Sequence, residues 1–222
     1  MKIITFSMWG DNPMYLDGAL KNSKLAETYY PDWRCRYYVS TQNTPEHVYR
    51  ELELVDNCDV VLVDEVGSPK SMINRFAPLS ETDIEYFVVR DLDSRLGERE
   101  SLAVAEWISE GTDFHIMRDH PEHAAPMLGG MWGAKGGCIE DYDTLLDDYA
   151  SRLIDQMQVD QYFLWEYIIP RIKNATVHDE VTPYGGKPFP SPRSKDVVPF
   201  FIGQQYGSDD LPLHPEHMEM FV

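Results

Sequence analysis

Residues 86–95 read Tyr-Phe-Val-Val-Arg-Asp-Leu-Asp-Ser-Arg, and this stretch contains a short apolar run that ends in two aspartates, Asp91 and Asp93. Alternate side chains of a strand share one face, so both carboxylates can point at the same spot. Mg²⁺ and Mn²⁺ take oxygen ligands, usually one or two carboxylates together with substrate phosphates. The stretch therefore predicts a buried strand with a metal site at its tip. The plainer alternative is a solvated strand end, because the chain has 38 acidic residues among 222.

Similar apolar runs and helical periodicities extend along the chain on both sides of this stretch. They predict strands at 2–8, 36–40, 59–63, 86–90, 113–117 and 175–177. Helices are predicted at 15–30, 98–110, 145–156 and 160–169, and a further one begins at Thr44-Pro45-Glu46 with Thr44 as N-cap. Within 98–110, we expect Leu102, Ala105 and Ile108 to face inward. Strands that alternate with helices form βαβ units, so the fold class is α/β, with a mostly parallel central sheet flanked by helices.

Charge and cysteine content limit the possible partners and location. The net charge is −19 and no basic run is present, which disfavours nucleic acid and anionic lipid as partners. Three cysteines without metal-type spacing indicate free thiols in a reducing compartment. No apolar run approaches the length of a membrane span, and we expect a cytoplasmic protein.

Four blocks of sequence, in order, resemble the metal-dependent nucleotide-diphospho-sugar transferases of the GT-A fold. The likeness is closest to the often retaining branch with glycogenin-like and lipooligosaccharide galactosyltransferase-like enzymes and related capsular-sugar transferases. It covers roughly residues 2–195. The resemblance implies one GT-A-like, Rossmann-type domain over 1–222, with a nucleotide-binding half (1–95), a sugar and acceptor half (96–195) and a tail (196–222).

The first three blocks imply a donor site. Thr5, Phe6 and Ser7 at the end of the first strand would lie beside the uridine. Arg75, within Asn-Arg-Phe-Ala-Pro-Leu, would contact the donor through charge-assisted bonds. By resemblance, Asp93 and to a lesser degree Asp91 would hold the metal against the diphosphate. Arg90 has an alternative role as a partner that neutralises the aspartates.

The fourth block is the Asp160-Gln161 pair, about 70 residues after the acidic strand. The resemblance places Asp160 near the hydroxyls of the transferred sugar and Gln161 below its anomeric carbon, although Asp160 is also a good ordinary N-cap. Further along, His178 resembles a third metal ligand. Lys187 resembles a diphosphate contact, but its distance from the histidine is longer than in the galactosyltransferase-like members.

Two other segments have less specific roles. The glycine-rich stretch 127–137 fits neither a P-loop nor a dinucleotide fingerprint, and by resemblance it would bind the sugar and acceptor. Its Trp132 would stack on a sugar or belong to the core. The polar cluster at 115–123 suits acceptor recognition or a plain loop better than a second metal site. The Pro- and Gly-rich loop at 184–193 would close over the donor.

The resulting hypothesis is a hexosyltransferase-like enzyme that uses Mn²⁺ or Mg²⁺. It would transfer a sugar from a UDP-sugar to a glycan or another hydroxyl acceptor, with retention favoured. One alternative is a non-catalytic nucleotide-sugar or glycan-binding domain on the same scaffold. The other is a D-x-D phosphatase, which is disfavoured because that class carries its aspartate pair on the first strand.

Overall fold

A computed structural model describes residues 1–152 and 157–221. Its strands are β1 (Lys2–Met8), β2 (Arg34–Ser40), β3 (Cys58–Val63), β4 (Tyr86–Val89), β5 (Phe114–Arg118), β6 (Trp132–Lys135) and β7 (Ala175–Asp179). Its α-helices are α1 (Pro13–Tyr29), α2 (Glu46–Leu52), α3 (Glu98–Glu110), α4 (Tyr142–Arg152) and α5 (Val159–Phe163). It also has 3₁₀-helices at Pro69–Leu79, Ile169–Arg171 and Pro215–Phe221. The predicted helix over 145–156 ends in residues 153–156, which lie outside the described residues.

The described strands form one sheet in the order β3-β2-β1-β4-β6-β5-β7. Pairings β1–β2, β2–β3, β1–β4 and β5–β7 are parallel, whereas β6 runs antiparallel to both β4 and β5. The prediction of a single α/β domain with a mostly parallel sheet is confirmed. Strands from residues 1–95 lie on one side of the β4–β6 pairing, and strands from later residues lie on the other.

Two hydrophobic layers cover the two faces of the sheet, because successive strand side chains alternate between them. One face carries Ile3, Phe87 and Val89 and packs against the 69–79 segment and α5. The other face carries Ile4 and Val88 and packs against α1, α2 and α3. At the tip of β4, successive side chains therefore point alternately to one helical layer and to the other.

Strand β6 was not predicted from the sequence, because Gly133 and the glycines on either side of the strand hide the β pattern. A Cβ at Gly133 would lie 2.6 Å from the carbonyl oxygen of Phe87 and 3.3 Å from Trp107, so the strand needs a glycine to pack there. Trp132 is fully buried and meets Phe76 and Phe87 edge to face. Of the two readings of this tryptophan, the core reading is therefore correct.

Two local predictions are wrong. Helix α2 has Pro45 at its N-cap position, and among residues 1–152 and 157–221 neither a side-chain cap for the helix nor a partner for the buried Thr44 hydroxyl is found. In α3 the buried face carries Ala103, Val104 and Trp107, whereas Leu102 is exposed. Apolar residues recur along α3 at helical spacing, so the helix itself was predictable. They lie on both of its faces, so the sequence did not indicate which face is buried.

The parallel strands β1, β2, β3 and β4 all end at one edge of the sheet, which is where ligands bind in open α/β sheets. Within the described residues, no helix is both long and apolar enough to cross a bilayer.

Candidate functional site

The two aspartates follow β4 directly, and their neighbour Arg90 points to the opposite layer. Arg90 is 1% exposed and donates through Nε to Glu100 Oε1 at 3.1 Å. Glu100 also accepts from the Tyr30 hydroxyl at 2.8 Å. The charge of Arg90 is thus balanced by Glu100, so the alternative in which Arg90 neutralises the aspartates is wrong. Arg90 therefore does not neutralise Asp91 or Asp93.

Arg75 joins the acidic strand to the Asp-Gln helix. Its guanidinium is 4% exposed and donates through Nη1 to Asp91 Oδ1 at 2.5 Å and through Nη2 to Asp160 Oδ2 at 2.9 Å. Nη1 also donates to the carbonyl oxygen of Arg90 at 2.9 Å, and its Nε has no partner among the described residues. The structure therefore brings Arg75, Asp91 and Asp160 together. Arg75 orients two carboxylates here, whereas a direct contact with the donor was expected.

Asp93 has a different environment. It is 7% exposed, and its Oδ2 accepts a hydrogen bond from Gln205 Nε2 at 2.7 Å. Burial and repulsion by the Asp91 carboxylate raise the pKa of Asp93 to about 6, and the bond from Gln205 opposes this rise. Burial also raises the pKa of Tyr15, with Asp93 and Asp91 as further causes. Asp91 is therefore paired with Arg75, whereas among the described residues no cationic side chain forms an ion pair with Asp93.

Gly129 and Gly130 pass directly over the carboxylates. A Cβ at Gly129 would lie 2.4 Å from Asp160 Oδ2, and a Cβ at Gly130 would lie 2.0 Å from Asp91 Oδ2. Only glycine allows the backbone this close an approach. The glycine-rich stretch thus forms the turn that covers the acidic site before it enters β6.

Gln161 is fixed by the same turn. Its Oε1 accepts from the Gly129 N–H at 3.0 Å, and its Nε2 donates to the Met127 carbonyl oxygen. The α-helix begins after Gln158, the residue at its N-cap position, so Asp160 is not the N-cap. Asp160 is 5% exposed, and its Oδ1 accepts from the Gln161 N–H at 2.9 Å. The helix therefore presents both side chains to the turn and to Arg75.

Of the three first-strand residues, only Ser7 reaches this cluster. Its hydroxyl accepts from the Arg75 N–H at 3.2 Å. Thr5 is fully buried with its hydroxyl bonded to the Val88 carbonyl oxygen at 3.3 Å. Phe6 is fully buried in the other layer and stacks on Tyr37 at 5.0 Å. The side chains of Thr5 and Phe6 are therefore core, and they are not free to contact a nucleotide.

His178 lies away from the aspartates. The strand registers place Val177 in the same row as Val89, but three strands away. At the usual strand spacing this is about 14 Å. His178 itself points toward α3, whereas Asp91 reaches Arg75 in the opposite layer. The expected metal set of Asp91, Asp93 and His178 is not assembled.

The partners of His178 and Lys187 explain their position. His178 Nδ1 lies 2.8 Å from His115 Nε2, and its Nε2 lies 3.1 Å from Glu106 Oε2, so both ring nitrogens are used. Lys187 forms ion pairs with Glu106 and Glu110. The loop at 184–193 thus packs along α3 and not over the acidic strand. Contrary to prediction, His178 therefore lies away from the acidic pair, Lys187 contacts α3 and not the predicted diphosphate site, and the loop does not cover the acidic strand.

The rest of the polar cluster at 115–123 serves packing of the C-terminal segment. Asp119 is fully buried and accepts from Arg99 and Arg193. His120, Glu122 and His217 each offer one atom that could bind a metal ion, and these atoms lie within 4.8 Å of one another. However, His120 Nδ1 accepts from the Glu122 N–H at 3.1 Å and its Nε2 lies 3.2 Å from the His217 carbonyl oxygen. Both nitrogens are engaged, which disfavours metal binding there.

Comparisons with known proteins bear on the fold. No protein-family model and no curated protein matches the sequence. Residues 1–349 of TarS from S. aureus align with a TM-score of 0.51 at 12% identity, over 85% of this chain and 59% of that chain. The mannosyltransferase PcManGT from Pyrobaculum calidifontis, solved with GDP-Man and Mn²⁺, gives 0.51 at 13% identity, over 82% and 55%. The chain has a GT-A-type fold.

Another solved structure limits what this fold implies. A 4-diphosphocytidyl-2C-methyl-D-erythritol synthase from Anaerococcus prevotii aligns with a TM-score of 0.50 at 11% identity, over 80% of this chain and 88% of that chain. A GT-A-type scaffold thus accommodates proteins with different names and activities, and function must be argued from the site. The chain spans little more than half of TarS 1–349 and of the mannosyltransferase.

Two residues beside the acidic pair were not predicted from the sequence. Gln205 comes from the C-terminal segment, which shows no periodicity, and Tyr15 looks like an ordinary residue of α1. Both reach the aspartates only through tertiary packing, so no local pattern indicates them.

Proposed function

We propose that this chain is a metal-dependent glycosyltransferase. It would transfer a sugar from a nucleotide-diphosphate sugar, with a UDP-sugar favoured, to a hydroxyl of a glycan or another acceptor. The observation that carries the proposal is the buried Arg75, which links Asp91 of the strand-end pair to Asp160 of the Asp-Gln helix. These two motifs are distant in sequence. Their convergence at the ligand-binding edge of the sheet supports a shared chemical role.

The aspartates suit a hard divalent cation. Asp91 and Asp93 offer carboxylate oxygens, the preferred ligands of Mn²⁺ and Mg²⁺. The raised pKa of Asp93, caused by burial and by Asp91, indicates that the described side chains leave the pair's charge partly uncompensated. A divalent cation would relieve that repulsion. Asp91 and Asp93 are therefore the residues that would hold it.

The chemistry follows from the charges that develop during transfer. Cleavage of the bond between sugar and phosphate leaves a diphosphate with growing negative charge, and a bound cation supplies Lewis-acid stabilisation of that charge. Arg75 holds Asp91 and Asp160 in fixed positions, so neither carboxylate needs to reorganise during the reaction. Asp160 and Gln161 would orient the sugar hydroxyls and the anomeric carbon.

We propose a retaining route, in which the leaving phosphate accepts the proton of the acceptor hydroxyl. Among the described residues of the site, Asp160 is bound to Arg75 through one oxygen and to the Gln161 N–H through the other. Such a carboxylate is a poor general base, because proton uptake would break an ion pair. The arrangement supports proton transfer to the phosphate.

The nucleotide would occupy the edge formed by the ends of β1 to β4, within the half 1–95. Ser7 remains the first-strand side chain that reaches the cluster. The fold neighbour PcManGT was solved with GDP-Man and Mn²⁺, so guanosine diphosphate belongs in every test of the uridine preference. Free Cys35, Cys58 and Cys138 support a cytoplasmic location.

The test is calorimetric titration of the purified chain with UDP and with GDP, each with Mn²⁺, with Mg²⁺ and with EDTA. We expect metal-dependent binding that Asp93→Asn abolishes. Asp147→Asn on the exposed face of α4 removes the same charge elsewhere and should bind normally. Absence of binding by either nucleotide under every metal condition would refute the proposal. Metal-dependent binding without sugar transfer or donor hydrolysis, over a panel of UDP- and GDP-sugars and acceptors, would favour the non-catalytic binding domain.

A further inference from the structure

The C-terminal segment 204–213 lies against the strand-end aspartates. Gln205 Nε2 donates to Asp93 Oδ2 at 2.7 Å, and the Tyr206 N–H donates to the carbonyl oxygen of Asp93 at 2.8 Å. Within the described part of the chain, the bond from Gln205 is the side-chain hydrogen bond made to the Asp93 carboxylate. The orientation of this carboxylate thus depends on a residue 112 positions away in the sequence.

Gln205 is held in place by contacts that do not involve Asp93. The Leu213 N–H donates to the Gln205 carbonyl oxygen at 3.0 Å, which closes a short loop. Arg95, buried after the acidic pair, donates to Asp210 at 2.9 Å, and Lys21 of α1 lies 2.8 Å from the same aspartate. The segment is therefore anchored to the strand end and to α1, so the main chain of Gln205 is held beside Asp93.

The two aspartates are oriented by different devices. Asp91 is set by Arg75 and by the close passage of Gly130, whereas Asp93 is set by Gln205. Two neighbouring carboxylates repel each other, and without partners they turn apart. Side chains that orient the ligands of a metal ion contribute strongly to its affinity.

We propose that Gln205 is a positioning residue of the metal site, whose amide holds the Asp93 carboxylate in the orientation that binds Mn²⁺ or Mg²⁺. The C-terminal segment is then part of the donor site and not an appendage. This inference rests on the proposed function, since it needs a cation at Asp91 and Asp93.

The experiment is titration of the full chain with Mn²⁺, with and without UDP, with free Mn²⁺ measured by electron paramagnetic resonance. Gln205→Leu keeps the approximate size of the side chain and removes the donor. We expect it to weaken Mn²⁺ binding at least about tenfold. Gln205 is exposed but its partner Asp93 is buried, so the free energy of unfolding in EDTA should also fall, by an amount that leaves the chain folded for the titration. Gln42→Leu is the matched control, since Gln42 is also exposed and donates to Asp64 at 3.1 Å.

The outcomes separate the two proposals. Weakened Mn²⁺ binding in Gln205→Leu with a normal Gln42→Leu supports the inference. Equal Mn²⁺ affinity in Gln205→Leu and wild type, with loss in Asp93→Asn, overturns the role of Gln205 and leaves the proposed function standing. If the wild type binds no Mn²⁺ under either condition, both proposals fail.

Discussion

Replacement of Arg75 by methionine tests the link between the two acidic motifs. Arg75 and Asp160 are 4% and 7% exposed in their side chains, so the substitution leaves a buried carboxylate without its partner. Removal of one partner of a buried ion pair costs about 3–5 kcal/mol. Asp91 is 47% exposed and can be hydrated, so its lost bond adds at most about 1 kcal/mol.

This cost should be visible in both chemical and thermal unfolding. For a chain of this size, each kcal/mol shifts the thermal midpoint by about 2–4 °C. Arg75→Met should therefore lower it by roughly 6–20 °C, in EDTA to remove bound metal. Urea unfolding should give the free-energy change directly. Arg171→Met removes a solvent-exposed ion pair with Asp141 and should cost no more than about 1 kcal/mol.

A double variant isolates the cause. In Arg75→Met/Asp160→Asn the buried charge is gone, so we expect at least about 2 kcal/mol of the loss to be recovered relative to Arg75→Met. The reasoning would be refuted by a single variant within about 1 kcal/mol of the wild type. It would equally be refuted by a double variant that is no more stable than Arg75→Met, since the loss would then come from packing and not from the unpaired carboxylate.

Two further predictions concern the covering turn and a half-buried histidine. Gly130→Ala places a carbon 2.0 Å from Asp91 Oδ2, and a carboxylate can move aside, so we expect near-normal thermal stability but roughly tenfold weaker Mn²⁺ binding by calorimetry. Gly129→Ala displaces Asp160 instead, so its affinity for Mn²⁺ should stay within about threefold of that of the wild type. Equal losses of Mn²⁺ affinity in the two variants would contradict the assignment of Asp91 as a metal ligand. Burial lowers the pKa of His123 from 6.5 to about 3, so its folded state favours the neutral ring, and its stabilising contribution is present above pH 6.5 and is lost as the pH falls. Between pH 7.5 and pH 5, this residue should lower the free energy of unfolding by about 2 kcal/mol. His123→Asn keeps an acceptor but does not titrate, so its free energy of unfolding in urea should fall by about 2 kcal/mol less than that of the wild type over the same pH change. An identical fall in the two proteins would argue against a neutral ring in the folded state.

Much of the fold was predictable because it is encoded by local periodicity. The strands β1 and β4 and the helix α3 have apolar patterns that tertiary packing does not override, and their observed limits agree with the predicted ones to within one residue. The acidic pair was recognisable because its strand is short and ends abruptly in charge. Asp160 was identified through the family resemblance, by the Asp-Gln pair about 70 residues after the acidic strand.

The remaining features depend on contacts that local sequence does not encode. Strand β6 contains Gly133, which disguises a strand whose glycine is needed for close packing. His178 follows the predicted strand, but its three-strand separation from β4 comes from the insertion of β5 and β6 between them. Gln205 reaches Asp93 only because the chain returns to the strand end after β7. These are consequences of topology.

The antiparallel pairing of β4 with β6 has a mechanical consequence. Asp91 follows β4 and the covering turn precedes β6, and these two strands are joined by main-chain hydrogen bonds within one continuous sheet. Opening a cleft between the two halves would break that ladder, so hinge bending between them is not available as a way to admit substrate. Entry and exit of a nucleotide sugar would depend on movements of surface segments around a rigid floor. The geometry of the acidic cluster would then be the same before and after each turnover.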